Sequence, residues 1–281
     1  MKQTSVIAMG LPNAGKSTFI AALGYVMQHE EVKTSLRLAR LPDDVSYINS
    51  LTDDWLKCAD FERTKAGLEL VSFELEDSSG PVGEVIFPDI SGESFEHHWA
   101  LREWEPEFAN LAKVAGGALL FVHPLHLAKP YSIADVAKVA ATVGENADER
   151  KAEIWEPEKA APQVKLVDFL QMLASQTTKP WPLRIGVVVS AWDLVTKVSE
   201  KAQPDSWLKK AAPLLYHFLL ANPEMFTTRY FGVSAQGGDN KKDGDTLRSF
   251  DDPSQRIVVI GECCAEHDLS APLEWVLNAH A

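Results

Sequence analysis

The stretch Gly10-Leu11-Pro12-Asn13-Ala14-Gly15-Lys16-Ser17 decides the reading of this chain. It matches G-x-x-x-x-G-K-[ST], the pattern of a P-loop that wraps phosphate groups. Thr4-Ser5-Val6-Ile7-Ala8-Met9 before it is a short apolar run of strand type. Thr18-Phe19-Ile20-Ala21-Ala22-Leu23 after it opens a helical pattern. A strand feeding a glycine-rich turn and then a helix N-terminus makes an anion site. Glycines let the backbone approach the phosphates, and successive N–H groups and the helix dipole point at negative charge. The spacing assigns Lys16 to the β- and γ-phosphates and Ser17 to a Mg²⁺ ion. Gly10, Asn13, Ala14, Gly15 and Thr18 complete the cradle.

Outward from this loop, β-type runs alternate with helix-type segments, which indicates an α/β domain. A helix is expected over about 16–29, a strand from Val32 to Leu41 and a helix from Asp43 to Ala59. Leu68 to Leu75 alternates with period two, Asp77-Ser78-Ser79-Gly80-Pro81 is a turn, and Val82 to Asp89 returns as a second strand. Residues 93–114 read as one helix. The β-type runs Gly117 to Val122, Leu183 to Val189 and Thr228 to Val233 suit a parallel sheet covered on both faces. The predicted fold is therefore a P-loop α/β domain. It has a mainly parallel sheet, one antiparallel edge strand, and helices on both faces.

The connection from Pro124 to Pro182 is too long for an ordinary crossover. It carries prolines, a charged stretch at 145–159, and helical patterns near 132–143 and 163–175. The expectation is a single domain over 1–281 with an insertion at 125–180 that contains additional helices. Another polar loop spans Gly237 to Asp252, and Ser270 to Leu277 reads as a closing helix.

Composition narrows the function. The chain has 281 residues, 46% of them hydrophobic, enough for one enlarged core. Its formal net charge of −13 repels polyanions on average, so no nucleic-acid partner is expected without a local basic patch. The three cysteines, Cys58, Cys263 and Cys264, cannot build a disulfide framework. They suit a reducing, cytoplasmic setting. No charged-then-apolar leader and no membrane span is expected.

A phosphate site of this kind needs a carboxylate for the magnesium shell, at the end of a neighbouring strand. Asp89 sits there, in Phe87-Pro88-Asp89-Ile90-Ser91-Gly92-Glu93. In Asp-x-x-Gly the aspartate serves Mg²⁺, and the Gly92 amide can meet the γ-phosphate because glycine permits close backbone approach.

The run at 10–17 resembles the G-x-P-N-x-G-K-S loop of translation-factor-class (TRAFAC) P-loop GTPases. Asp89-Ile90-Ser91-Gly92 is similar to their second switch. The extra strand and helix before Thr64, and the Pro-Leu-Glu-Trp tail, resemble the bacterial double-GTPase-type branch. The resemblance implies a threonine that closes on Mg²⁺ and the γ-phosphate. Thr64, four residues before Leu68, is the matching position, and Thr34 is the alternative. It also implies base recognition by [NT]-K-x-D. Here that site reads Ser190-Ala191-Trp192-Asp193, without the asparagine and lysine, so Asp193 is the residue left to accept from guanine N1 and N2. Ser234-Ala235-Gln236 resembles the family's S-A-K loop, where the Ala235 amide faces guanine O6 and Gln236 replaces the lysine.

For hydrolysis, many family members place glutamine after the second-switch glycine. Here it is Glu93, which either holds the attacking water or only complements the helix dipole. Arg63 is either an internal arginine finger or a solvated loop residue. Trp99 and Trp104 lie near one face of the second-switch helix and are candidates for docking a partner. The expected function is a guanine-nucleotide switch that hydrolyses GTP with Mg²⁺, slowly unless an effector or activating protein assists. The alternatives are a nucleotide-binding scaffold that does not hydrolyse, and an ATPase or kinase. The last suits the degenerate base motif, but the insertion offers Arg150 alone for an acceptor lid.

Overall fold

Strand β1 (Ser5–Gly10) carries the P-loop at its C-terminal end and faces a core on each side. Val6 and Ala8 belong to one apolar cluster, Ile7 and Met9 to the other, as the period of two in a strand requires. The computed structural model describes residues 5–29, 32–40, 45–59, 68–90, 92–127, 134, 137–138, 141–142, 156–178 and 180–277. Within these, the further strands are β2 (Arg37–Arg40), β3 (Leu68–Asp77), β4 (Gly80–Ile90), β5 (Ala115–Val122), β6 (Leu183–Val189), β7 (Phe226–Ser234) and β8 (Val258–Ile260). They form one eight-stranded sheet in the order β2-β3-β4-β1-β5-β6-β7-β8.

The five strands from β4 to β7 are parallel, so their C-terminal ends share one edge of the sheet with the P-loop. β8 pairs antiparallel with β7 at one edge of the sheet. The hairpin adds a second antiparallel strand, β3, held between β2 and β4.

Helices cover both faces. On one side α1 (Lys16–Gln28), α2 (Ser46–Leu56) and α10 (Ala271–Leu277) supply Phe19, Leu23, Trp55 and Leu273 to the first cluster. On the other, α4 (Pro106–Val114), α5 (Pro162–Gln176), α7 (Pro204–Ala211) and α8 (Pro213–Ala221) supply Phe108, Phe169, Leu208 and Leu215 to the second. Short helices α6 (Trp192–Thr196) and α9 (Gly244–Arg248) lie in loops at the C-terminal ends of β6 and β7.

The helix expected over 93–114 is two helices. α3 (Gly92–Leu101) ends at Arg102, whose φ of 55° is left-handed, and Pro106 opens α4. Proline lacks the N–H that a continuing helix needs and clashes with the turn before it, so it sits in a first turn. The strand expected from Val32 to Leu41 contracts to β2. α7, α8 and β8 have no counterpart among the sequence expectations. The helix expected near 132–143 falls largely outside the described residues and is helical at 134, 137–138 and 141–142. No described helix is long and apolar enough to cross a membrane.

Candidate nucleotide site

The P-loop turns back over its own strand. Ala14 N–H donates to Leu11 O at 3.2 Å, Asn13 takes φ 56° and Gly15 φ 86°, both left-handed. A side chain at Gly10 would place Cβ 2.9 Å from Phe121 O, and one at Gly15 would place it 2.9 Å from Ser190 Cβ. The two glycines are thus set by β5 on one side and by the end of β6 on the other. Lys16 is 7% exposed, and its Nζ donates to Gly10 O at 2.8 Å and Leu11 O at 3.2 Å. These bonds hold the ammonium inside the loop's curve. Ser17 and Thr18 are half-buried in the first turn of α1. Helix N–H groups there have no intrahelical acceptor, and Gly15, at the N-cap, has no side chain to supply one. Beneath them Phe19 meets Phe121 edge-on, with ring centroids 5.2 Å apart, fixing α1 on the sheet.

β4 runs parallel to β1 with Ile7 opposite Ile86. Carrying that register three residues on sets the backbone of Asp89 level with Gly10. α3 then begins at Gly92, with Glu93 in its first turn. The metal candidates Ser17 and Asp89 and the phosphate candidate Gly92 thereby share the P-loop edge. Arg63 and Thr64 lie outside the described residues. The alternative, Thr34, lies at the wrong end of the sheet. It precedes β2, whose first residue Arg37 pairs with Glu76 beside the hairpin turn, away from the loop.

On the other flank, Ser190 follows β6, and its N–H donates to Val122 O at 2.9 Å. Its side chain packs against Gly15, so this short residue ties the base-side loop to the phosphate loop. Ala191 is left-handed at φ 45° and opens α6. Asp193 Oδ1 accepts from Ser234 Oγ at 2.8 Å, and Lys197 Nζ lies 3.5 Å from its Oδ2. The same ammonium is 3.4 Å from Asp243 Oδ2. Ser234 is 1% exposed, and Ala235 follows it at the top of β7. His123, at the end of β5, is pushed down to about 4 by burial and then by His126, while Asp193 pulls it upward. Trp192 is fully buried under Gly232 and meets Trp207 edge-on, so it packs into the sheet core and not beside the base site.

The family model for Double-GTPase 1 matches residues 7–276. The chain belongs to the Double-GTPase 1 family. No curated protein matches it. Among solved structures, Roco2 RocCORdC of Methanosarcina barkeri bound to GDP matches at 11% identity and a TM-score of 0.31, over 88% of this chain and 50% of that one. A bacterial selenocysteine-specific elongation factor, EF-Sec, matches at 15% identity and a TM-score of 0.36, over 88% and 28%. The chain thus spans half or less of the length of these two structures.

In this double-GTPase domain the P-loop, Asp89, Gly92, Asp193, Ser234 and Ala235 all occur at the C-terminal edge of the parallel strands. The tryptophans considered for docking do not serve alike. Trp99 is 6% exposed, with Lys165 Nζ 5.6 Å from the centre of its ring. Trp104 is half-buried, edge-on to Phe108. His98 is buried and accepts from Glu105 N–H at 3.3 Å. Among the described residues no group of three or more His, Cys, Asp or Glu is arranged to hold a metal. Ser190, Lys197, Asp243, Trp55 and Arg256 were not legible as site residues. Ser190 stands where the family motif has its asparagine, and the other four belong to no local motif.

Proposed function

We propose that this chain binds GTP with Mg²⁺ and hydrolyses it to GDP and phosphate, as a molecular switch of the TRAFAC kind. The observation that carries the reading is the continuity of the rim. Lys16 is seated in the P-loop, Gly15 touches Ser190, and Asp193, three residues on, is bonded to Ser234. Phosphate and base candidates therefore lie along one sheet edge, in the order a nucleoside triphosphate would need. In hydrolysis a water oxygen bonds to the γ-phosphorus, the bond to the β–γ bridging oxygen breaks, and GDP leaves with that electron pair. Lys16 and the first-turn N–H groups of α1 stabilise the phosphate charge. Glu93 is the candidate to hold the water, and Arg63 the candidate to neutralise charge on the transferring group.

Ser17, Asp89 and Thr64 offer hard oxygen donors only, which fits magnesium. Bound there, the ion would supply charge neutralisation at the β- and γ-phosphate oxygens. We take residues 1–281 as one GTPase-like domain with an insertion at 125–180 that senses the switch or holds a protein partner. The free cysteines suit the reducing cytoplasm. A second reading, a scaffold that binds nucleotide without hydrolysis, is favoured by the acid at position 93 where a glutamine would orient water. Titration with fluorescent GDP, GTP and ATP analogues in Mg²⁺, followed by phosphate-release kinetics, decides between them. Equal affinity for ATP and GTP would overturn the guanine reading, and binding without phosphate release would favour the scaffold.

A further inference from the structure

The C-terminal end of α2 and the loop after β7 are joined by a dense set of side-chain bonds. Trp55 is fully buried, and its indole N–H donates to Ala235 O at 2.9 Å. Arg256 is 4% exposed and lays its guanidinium 3.9 Å from the centre of the Trp55 ring. It donates to Trp55 O at 2.6 Å and to Leu247 O at 3.3 Å. Asn240 Nδ2 donates to Ala59 O at 3.0 Å, and Arg248 Nη1 to Lys57 O at 3.2 Å. Gln236 Nε2 lies 3.4 Å from Trp55 O and 3.3 Å from Cys58 Sγ. The last carbonyls of a helix have no intrahelical donor. Here side chains from 236–256 supply donors, so the helix end and the loop are bonded to each other at several points.

Capping alone does not require this arrangement. A glycine just past the helix closes such an end without burying a charge, whereas burying a guanidinium carries a large desolvation cost. Nor does capping explain the indole N–H, which points away from the helix to the carbonyl of Ala235. That residue's amide is the one assigned to guanine O6. The same helix end runs directly into residues 60–67, which carry Arg63 and Thr64.

We propose that Trp55 is a positioning residue for base recognition. Its N–H fixes the Ala235 loop, Arg256 holds the indole in place, and base binding is thereby linked to the segment that leads to Thr64. The inference rests on reading the site as a guanine-nucleotide site. Trp55→Phe keeps an aromatic ring under Arg256 and deletes the N–H. Equilibrium affinities of the full chain for GDP and for inorganic tripolyphosphate give the test. GDP affinity is expected to fall about tenfold, the worth of one buried hydrogen bond, with tripolyphosphate unchanged. A folded variant with an unchanged ratio of the two overturns the role of Trp55. Amide exchange on the wild-type chain reads the linkage without any substitution. GDP is expected to slow exchange at residues 55–59 and tripolyphosphate is not; equal protection overturns it. A wild-type chain that binds ADP as tightly as GDP overturns the guanine reading, and this inference with it.

Discussion

Ser234 donates its hydroxyl to Asp193 Oδ1 at 2.8 Å, joining the top of β7 to the start of α6. The second carboxylate oxygen faces Lys197, which also faces Asp243. Burial pulls the Lys197 ammonium down, but Asp193 and then Asp243 outweigh it and leave it raised. Asp193 is therefore held from two sides, with 17% of its side chain exposed. On the proposed function, this is the carboxylate that would accept from the N1–H and N2 amine of guanine.

Asp193→Asn is expected to weaken GTP by about 10- to 150-fold, because charge-assisted hydrogen bonds are worth about 1.5–3 kcal/mol. XTP should bind better than it does to the wild type, since xanthine presents an oxygen where guanine has its amine. Competition titration of GTP against XTP checks this. An unchanged ratio rules Asp193 out as the base reader.

Lys16→Ala should cost the chain its tight triphosphate binding, by about 100-fold or more, while the circular dichroism spectrum stays as it is. The lysine's bonds include those to two loop carbonyls, Gly10 O and Leu11 O, which belong to the phosphate loop and not to the apolar core. A well-folded variant that binds GTP as the wild type does would mean that the phosphates lie elsewhere.

The parallel strands were legible because strands buried on both faces read as apolar runs, unbroken in Gly117 to Val122 and interrupted only by Arg184 in Leu183 to Val189. The P-loop was legible because its chemistry is contiguous in sequence. The base side was half legible. Asp193 and Ser234 stand at the ends of predicted strands, but the bond between them spans 41 residues and depends on β6 and β7 being neighbours. Trp55 and Arg256 meet across 201 residues, and no local pattern marks either of them. The break at Arg102 could be read only from Pro106, since 93–114 otherwise keeps helical spacing.

His123 gives a pH dependence with a defined sign. Burial, then its neighbour His126, holds it down to about 4, from an ordinary value of 6.5, and Nδ1 accepts from Leu125 N–H at 3.2 Å. The folded value lies below the unfolded one, so the unfolded chain takes up the proton first. Stability from this group is complete above about pH 6.5 and is lost as pH falls toward 4. His98, also lowered by burial against the opposing pull of Glu105, acts in the same direction. His123→Gln should therefore flatten, without abolishing, the fall of Tm between pH 6.5 and 4. A variant whose Tm falls as steeply as that of the wild type would show that His123 does not carry this term.

The long connection offers the last test. It leaves β5 at Val122, on the P-loop edge of the sheet, and ends in α5, which is latched to the end of α3. Arg102 Nη2, just past α3, donates to both oxygens of Asp168 at 2.8 and 2.7 Å, and Lys165 Nζ lies over the ring of Trp99. These contacts join the end of α3 to α5, and on the proposed function they would carry a change at Asp89–Gly92 toward the insertion. Deleting about residues 130–158 keeps α5, its latch and the whole sheet. Nucleotide affinity should remain nearly unchanged, while partner binding or partner-stimulated phosphate release disappears; single-turnover assays with and without a cell extract fraction that stimulates the wild type would measure it. Loss of GTP binding in a folded deletion variant would instead assign the insertion to the nucleotide site. Fast hydrolysis by the intact chain alone would end the slow-switch reading and make Glu93 or Arg63 an efficient catalytic group.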